Sequence, residues 1–332
     1  MGNAHPSIFW HVGQNSAYFD SRAKSVSNLH WSKYREQGFF LGIKFLFWLH
    51  HWLGPIAFKV AVYPVVLCYY LKNQSGRNSI REYLELFAKR YPSSGIEPNW
   101  KTGFRIFLNF ANSAREKLEA WFVGIPDSQV NFPKRAGLHQ LAASGQGGLI
   151  IGSHLGNLEV CRALGSLTKV RVNVLVHTKH AVKFNRMMKM LNPLSQVRLI
   201  QVTEVTPALA MRLSEAVEAG ELVVIVGDRT PINSMGRTCE AEFLGRKAPF
   251  PQGPYILAAL LKCPVYTLFC LRSTSGYDIY MEKLCDRVVM KRGDREGHIR
   301  SLVEEFARRL ERYCHIAPLQ WYNFYPFWDQ QK

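Results

Sequence analysis

From about residue 134 onward, strand-like and helix-like stretches alternate along the chain. Runs rich in Val, Leu and Ile at 148–152, 171–176, 197–202 and 222–226 read as strands, and 134–144, 157–167, 181–191 and 206–219 carry apolar residues at helical spacing. Such alternation predicts βαβ units: an α/β fold with a largely parallel central sheet flanked by helices. The unit at 206–219 is bounded most firmly, since Thr206 is an N-cap residue, Pro207 suits the first helical turn and Gly220 suits the close. Pro264–Leu271 reads as a further strand and Tyr255–Leu261 as a short apolar helix. The stretch Ala241–Pro254 before them reads as a loop with two cations. Positions 296–315 form a basic amphipathic helix, with Arg300, Arg308, Arg309 and Arg312 expected on a solvated face. The tail Ala317–Tyr325 is too aromatic to be left in water.

The amino-terminal quarter follows another pattern. Phe39–Leu71 is dense in aromatic and aliphatic residues, yet Lys44, His50, His51 and Lys59 interrupt it and Pro55 and Pro64 break it. No uncharged stretch reaches the ~18–20 residues that a spanning helix needs. Two shorter helices lying in a membrane interface, with Lys44, Trp48, Trp52 and Lys59 at headgroup level, fit this composition; a buried helical hairpin is the alternative. Lys72–Asn78 reads as a polar turn, Ser79–Phe87 as helix, Tyr91–Gly95 as a stop and Thr102–Phe122 as a second amphipathic helix. The expected division is a helical, membrane-associating segment over 1–95 and an α/β domain over 96–332.

Composition narrows the partners. The chain has 332 residues, 47% hydrophobic, which suffices for a full α/β core, and 42 Lys and Arg against 25 Asp and Glu give a formal charge of +17. That excess attracts acidic partners. No RNP sequence, zinc-finger spacing or concentrated basic run favours nucleic acid, whereas Trp and Tyr beside Lys and Arg suit an anionic membrane surface. Seven cysteines, odd in number and without Cys-x-x-Cys, indicate neither a disulfide framework nor a zinc site and fit a reducing compartment. The residues after Met1 lack the charged-then-apolar pattern of a secretion signal, so a cytoplasmic location is expected.

The candidate chemistry lies directly behind the run Leu149-Ile150-Ile151. His154 and Glu159 set an imidazole and a carboxylate five residues apart, the minimum equipment of a general base, just past a strand's carboxyl end, where open α/β sheets carry their sites. Such a pair also arises by chance; the glycines at 152 and 156, which leave room for a substrate beside the backbone, favour the functional reading. Ser153 stands one place early for a Gly-x-Ser-x-Gly nucleophile elbow and is not read as a nucleophile. A second polar loop, Gly227-Asp228-Arg229, follows Val223–Val226 and meets the first if the two strands are parallel. Arg229 suits a phosphate or carbonyl oxygen, and Asp228 would orient it or bind an acceptor hydroxyl; a solvated Asp-Arg turn is the bland alternative. His177 and His180 lack a third ligand and make a weak metal case, so no metal is expected. Asn185 and the methionines at 187, 188 and 190 suit an acyl pocket or plain core.

Taken in order, Gly-Ser-His-Leu-Gly-Asn-Leu-Glu at 152–159, the Gly-Asp-Arg loop, the Phe-Leu-Gly…Ala-Pro-Phe-Pro-Gln-Gly-Pro stretch before a Leu-Ala helix, and the Pro-x-Gln-Trp tail resemble the bacterial lipid A biosynthesis acyltransferase family, within the wider glycerolipid-type acyltransferases with a His-x4-Asp/Glu motif. The likeness spans roughly residues 35–328. It implies that His154 is the catalytic base with Glu159 as its carboxylate, and that Asn157, Asp228 and Arg229 bind substrate. It also implies an acyl carrier protein or acyl-CoA thioester as donor, a lipid or glycolipid hydroxyl as acceptor, no cofactor, and a peripheral or monotopic place on the cytoplasmic face of the bacterial inner membrane. Leu319 stands where the family commonly has Glu, and the Asp-Arg loop is shorter than the family's Asp-Gln-Asp-like pattern; both point away from the lipid A disaccharide and toward the aryl-polyene or polyketide-associated branch. Oxyanion stabilisation is expected from Arg229 or from backbone N–H groups around 153–157. An acyl-thioester hydrolase and a non-catalytic membrane-bound carrier-protein scaffold are the rival readings.

Overall fold

The computed structural model describes residues 60–122, 125–133, 141, 143–158, 170–176, 197–201, 206–230, 237–290 and 293–329. Of the membrane-contact stretch 39–71, residues 39–59 lie outside the described residues and 60–72 are helical. Most of the expected helices 134–144 and 157–167, all of 181–191, and the His177–His180 and Asn185–Met190 candidates also lie outside.

Among the described residues, seven strands make the central sheet: β1 (Val130–Asn131), β2 (Gly148–Gly152), β3 (Val172–Val176), β4 (Val197–Gln201), β5 (Leu222–Val226), β8 (Val265–Arg272) and β9 (Tyr277–Cys285), in the spatial order β1-β9-β8-β2-β5-β3-β4. β8, β2, β5, β3 and β4 run parallel, and β9 turns back antiparallel to β8. The parallel sheet read from the alternation is therefore present, with strand bounds within one residue of expectation. Successive residues of its central strands feed different cores. Leu149, Ile151 and Val223 join one apolar cluster, while Ile150, Leu222 and Val224 join the other. Burial on both faces is why these runs are continuously apolar.

Besides the helical run 60–72, the described residues include the helices α1 (Gln74–Arg90), α2 (Trp100–Phe122), α3 (Pro207–Glu218), α4 (Gly253–Leu261) and α5 (Arg295–Ile316). In α3 the Thr206 hydroxyl accepts from the Leu209 N–H, the cap that the Thr-Pro pair predicts. The polar turn expected at Lys72–Asn78 shrinks to one residue: Asn73 interrupts the helical path and its side chain accepts from Gly76 N–H at 2.8 Å, so the polar residues behind it belong to α1. No helix among the described residues is long and apolar enough to cross a membrane.

Two sequence expectations are corrected. Ala241–Pro254 is not a loop: β6 (Thr238–Phe243) and β7 (Arg246–Pro251) form an antiparallel hairpin running into α4. Cys239, Ala241 and Phe243 point inward while Glu240 and Glu242 point out, a period of two that the glycine and prolines obscure. The connection is Leu244-Gly245, both with positive φ (55° and 77°), the two-residue turn whose twist matches paired strands. In α5 the basic residues are not one solvated face. Arg309 is mostly buried, paired with Glu305 at 2.6 Å and bonded to Thr267 Oγ1 and the carbonyls of Glu282 and Lys283, and Arg312 pairs with Glu282. These bonds fasten α5 to the β8–β9 pair. The aromatic tail is packed as its composition requires: Trp321, Tyr322, Tyr325, Phe327 and Trp328 are buried.

Candidate active site

The sheet register builds the site. Gly152 of β2 lies opposite Val226 of β5, so the two strands end together and residues 154 and 228 each emerge two positions beyond the last pair. The Gly227 N–H donates to Gly152 O at 2.9 Å and carries the pairing one step further. Asp228 then holds His154 twice: Oδ1 lies 2.8 Å from His154 Nδ1, and Oδ2 accepts from the His154 backbone N–H at 2.7 Å. A third bond comes from the tail, where the Trp321 Nε1–H donates to Oδ2 at 3.2 Å. The carboxylate is 1% exposed and the imidazole 30%, so the pair is closed behind Asp228 and open at the ring.

These contacts settle the charges. Burial pushes the Asp228 carboxyl up, but the adjoining imidazole, the bonds from the His154 ring and backbone, and the Arg229 cation outweigh it and hold Asp228 below the usual carboxylate range. Loss of water and the nearby Arg229 charge drive His154 below its ordinary value, more strongly than Asp228 raises it. Burial likewise lowers Arg229, against the support of Tyr325 and Asp228. At neutral pH the arrangement is an ionised Asp228 beside a neutral imidazole. A carboxylate only accepts, so Nδ1 carries the proton and Nε2 presents its lone pair.

The loop after β2 is pinned on its other side. Gly156 has φ +72° and its N–H donates to Gln320 O at 2.8 Å; a Cβ there would fall 1.9 Å from Cys270 O, so only glycine lets the loop lie against β8. The Asn157 N–H donates to that same Cys270 O at 2.8 Å, and the Leu155 N–H donates to Ser153 Oγ. The backbone donors of residues 154–157 are thus all engaged within the protein, which narrows the expected oxyanion donors, Arg229 or the N–H groups around 153–157. Ser153 is buried with its hydroxyl turned to the loop, in line with its exclusion as a nucleophile.

The remaining sequence candidates divide. Asp228 and Arg229 do meet His154 on one sheet edge; Arg229 is drawn to the tail, donating from Nη2 to Tyr322 O at 3.1 Å and lying over the Tyr325 ring. Asn157 is buried and donates from Nδ2 to Ser113 O and toward Glu116, while its Oδ1 has no hydrogen-bond partner. Glu159 lies outside the described residues. The carboxylate that sequence reading left unpaired with His154 is Asp228, and a signal for it existed: two five-residue apolar strands, each followed by a polar residue two positions on. Sequence reading also missed Glu116 and Arg272. Glu116 on α2 accepts from Arg272 Nη1 at 3.0 Å beside Tyr277, and burial raises its carboxyl despite Arg272. Among the described residues no group of His, Cys, Asp and Glu is placed to hold a metal ion.

A mostly parallel sheet, buried on both faces, whose carboxyl edge carries a His–Asp pair defines an α/β protein with a polar cluster at the strand termini, where such sheets carry their sites. The sequence model of the bacterial lipid A biosynthesis acyltransferases matches residues 104–330, which include β2, β5, the hairpin and the tail. The chain belongs to that family and is by that membership a lipid acyltransferase, requiring an acyl donor and a lipid acceptor. A comparison with curated proteins gives no match.

Proposed function

We propose that this chain transfers a fatty or polyene acyl group from a carrier-protein or CoA thioester to a hydroxyl of a lipid or glycolipid acceptor, with His154 as general base. The observation that carries the reading is the His154–Asp228 pair, tied at Nδ1 with the ring partly open to solvent. Nε2 takes the acceptor hydroxyl's proton as the oxygen bonds to the thioester carbonyl carbon. The tetrahedral intermediate collapses with loss of the C–S bond, and the imidazolium returns its proton to the departing thiolate. Arg229 supplies the positive charge that favours the oxyanion, and Asp228 favours the imidazolium. Glu159 is assigned to this base as a carboxylate partner of His154, beside Asp228, and Asn157 to substrate binding.

Membrane placement is part of the proposal. Val60, Tyr63, Val65, Tyr69 and Leu71 of the helical run 60–72 are exposed, as is Trp100 at the start of α2. An apolar surface of this kind suits peripheral association, and the chain's positive charge suits anionic lipids on the cytoplasmic face. The acidic surface of a carrier protein would be drawn by the same field.

The test is acyl transfer by purified protein on vesicles. His154→Ala is expected to lower turnover by a factor of about 10²–10⁴, the range of a general base, with donor binding retained. Undiminished transfer would refute the mechanism. Free acid released at equal rates with and without acceptor would instead favour the hydrolase, and indifference of carrier recruitment to the substitution, with no transfer in either protein, would favour the scaffold.

A further inference from the structure

The carboxyl-terminal segment does more than cover the core. Within residues 320–325, Gln320 O accepts from Gly156 N–H, the Tyr322 N–H donates to His154 O at 3.1 Å, Tyr322 O receives Arg229, and the Tyr325 hydroxyl donates to Asp228 O at 3.2 Å. Leu155 and Trp321 form an antiparallel bridge. The strap therefore touches the backbone of both loops that carry the pair. One contact reaches the functional carboxylate itself: the Trp321 indole, fully buried, donates to Asp228 Oδ2.

That bond has geometric consequences. A carboxylate on a short side chain swings about two torsions, and Oδ1 faces the imidazole only while Oδ2 is held elsewhere. Oδ2 is held by two donors on different elements, the His154 N–H and the Trp321 Nε1–H. The indole in turn cannot drift, because Tyr83 of α1, Phe243 of β6, and Phe327 and Trp328 pack against it with ring centroids 5.0–6.0 Å apart. Aromatic contacts at these separations and tilts are favourable and specific. Three elements distant in sequence thus fix the position of a single N–H.

We propose that Trp321 is a positioning residue of the acyl-transfer centre, its indole N–H locking Asp228 so that the carboxylate meets His154 Nδ1. This rests on His154 acting as the base. The indole touches no reacting atom; it acts through Asp228.

Replacement of Trp321 by 3-benzothienylalanine, which keeps the bicyclic shape and puts sulfur in place of N–H, separates positioning from packing. Turnover is expected to fall about tenfold with little change in KM for the acyl donor. The acid limb of the kcat/KM profile should move to higher pH, since a carboxylate relieved of one donor supports the imidazolium more strongly. A variant with unchanged turnover and unchanged acid limb would overturn the proposal. Should that variant not fold, the unsubstituted protein decides: the Trp321 indole N–H resonance should shift with pH at the midpoint of the acid limb, and a resonance that ignores that midpoint would overturn it. Failure of the underlying reading looks different, because His154→Ala would then retain transfer whatever Trp321 does.

Discussion

Asp228 and Glu116 are two buried carboxylates on the side of the molecule that carries the site, and they are held in opposite ways. Asp228 accepts two N–H bonds from His154 and one from Trp321 and sits near Arg229, so its charged form is favoured in spite of burial. Glu116 has Arg272, itself nearly half exposed, a long contact from Asn157, the Arg115 charge and the Tyr277 hydroxyl, and burial still wins, raising its carboxyl. Burial raises both carboxyls; only at Asp228 do the adjoining imidazole, its short bonds and the Arg229 charge outweigh it. The molecule therefore holds one acid kept ionised beside the His154 imidazole and, on α2, another whose protonated form burial favours.

The largest expected effect that sharpens this contrast comes from Asp228→Asn. An amide leaves the imidazole without its charged partner, and turnover should fall about a hundredfold or more, as when a general base loses its orienting acid. The acid limb of kcat/KM should also move to lower pH, because Asp228 is what raises His154 against burial and Arg229. Glu159→Gln is expected to reduce turnover with the limb unmoved. A limb that moves with Glu159 and not with Asp228 would exchange their roles.

A smaller effect is expected from Glu116→Gln. Arg272 loses a charged partner, but burial already disfavours the Glu116 charge, so stability near neutral pH should change by less than about 1 kcal/mol, read from denaturant unfolding, while turnover changes only a fewfold. A loss of turnover as deep as that of Asp228→Asn would place Glu116 in the chemistry and dissolve the contrast.

The smallest signals lie in stability against pH, and their signs differ. The Asp228 carboxyl is depressed on folding, so its contribution is present above the ordinary carboxylate range and disappears as pH falls through the depressed value. The Glu116 carboxyl is raised, so its contribution is present below the ordinary range and disappears as pH rises through the raised value. Midpoint temperatures of the two variants against pH should diverge from the parent on opposite sides of that range; parallel curves would contradict the assignment.

How much of this was legible in the sequence follows from which forces act locally. Strands β2 and β5 were plain, because burial on both faces leaves an apolar run that nothing else mimics. α3 was plain because Thr206, Pro207 and Gly220 punctuate it. The β6–β7 hairpin was hidden by Pro249 and Pro251, which read as breakers, yet Gln252 and the paired Thr238 show the strand continuing to its end. At the site, the strand-end histidine and the Asp-Arg loop were visible one at a time. Their joining was not, since spacing along one segment nominates Glu159, while the contact with Asp228 depends on which strand lies next to β2. The Trp321 bond was further out of reach: it depends on a bridge between Leu155 and the tail that no periodicity encodes.

The long span of these contacts bears on the order of events during synthesis. Asp228 stands 74 residues after His154, and Trp321 another 93 after Asp228. A ribosome exposes the imidazole well before the indole has been polymerised, so a nascent chain carries His154 without its contact through Asp228 to Trp321. On the proposed mechanism, full turnover would arrive only after the final aromatic stretch has docked, and acyl transfer would then report that His154, Asp228 and Trp321 have come together.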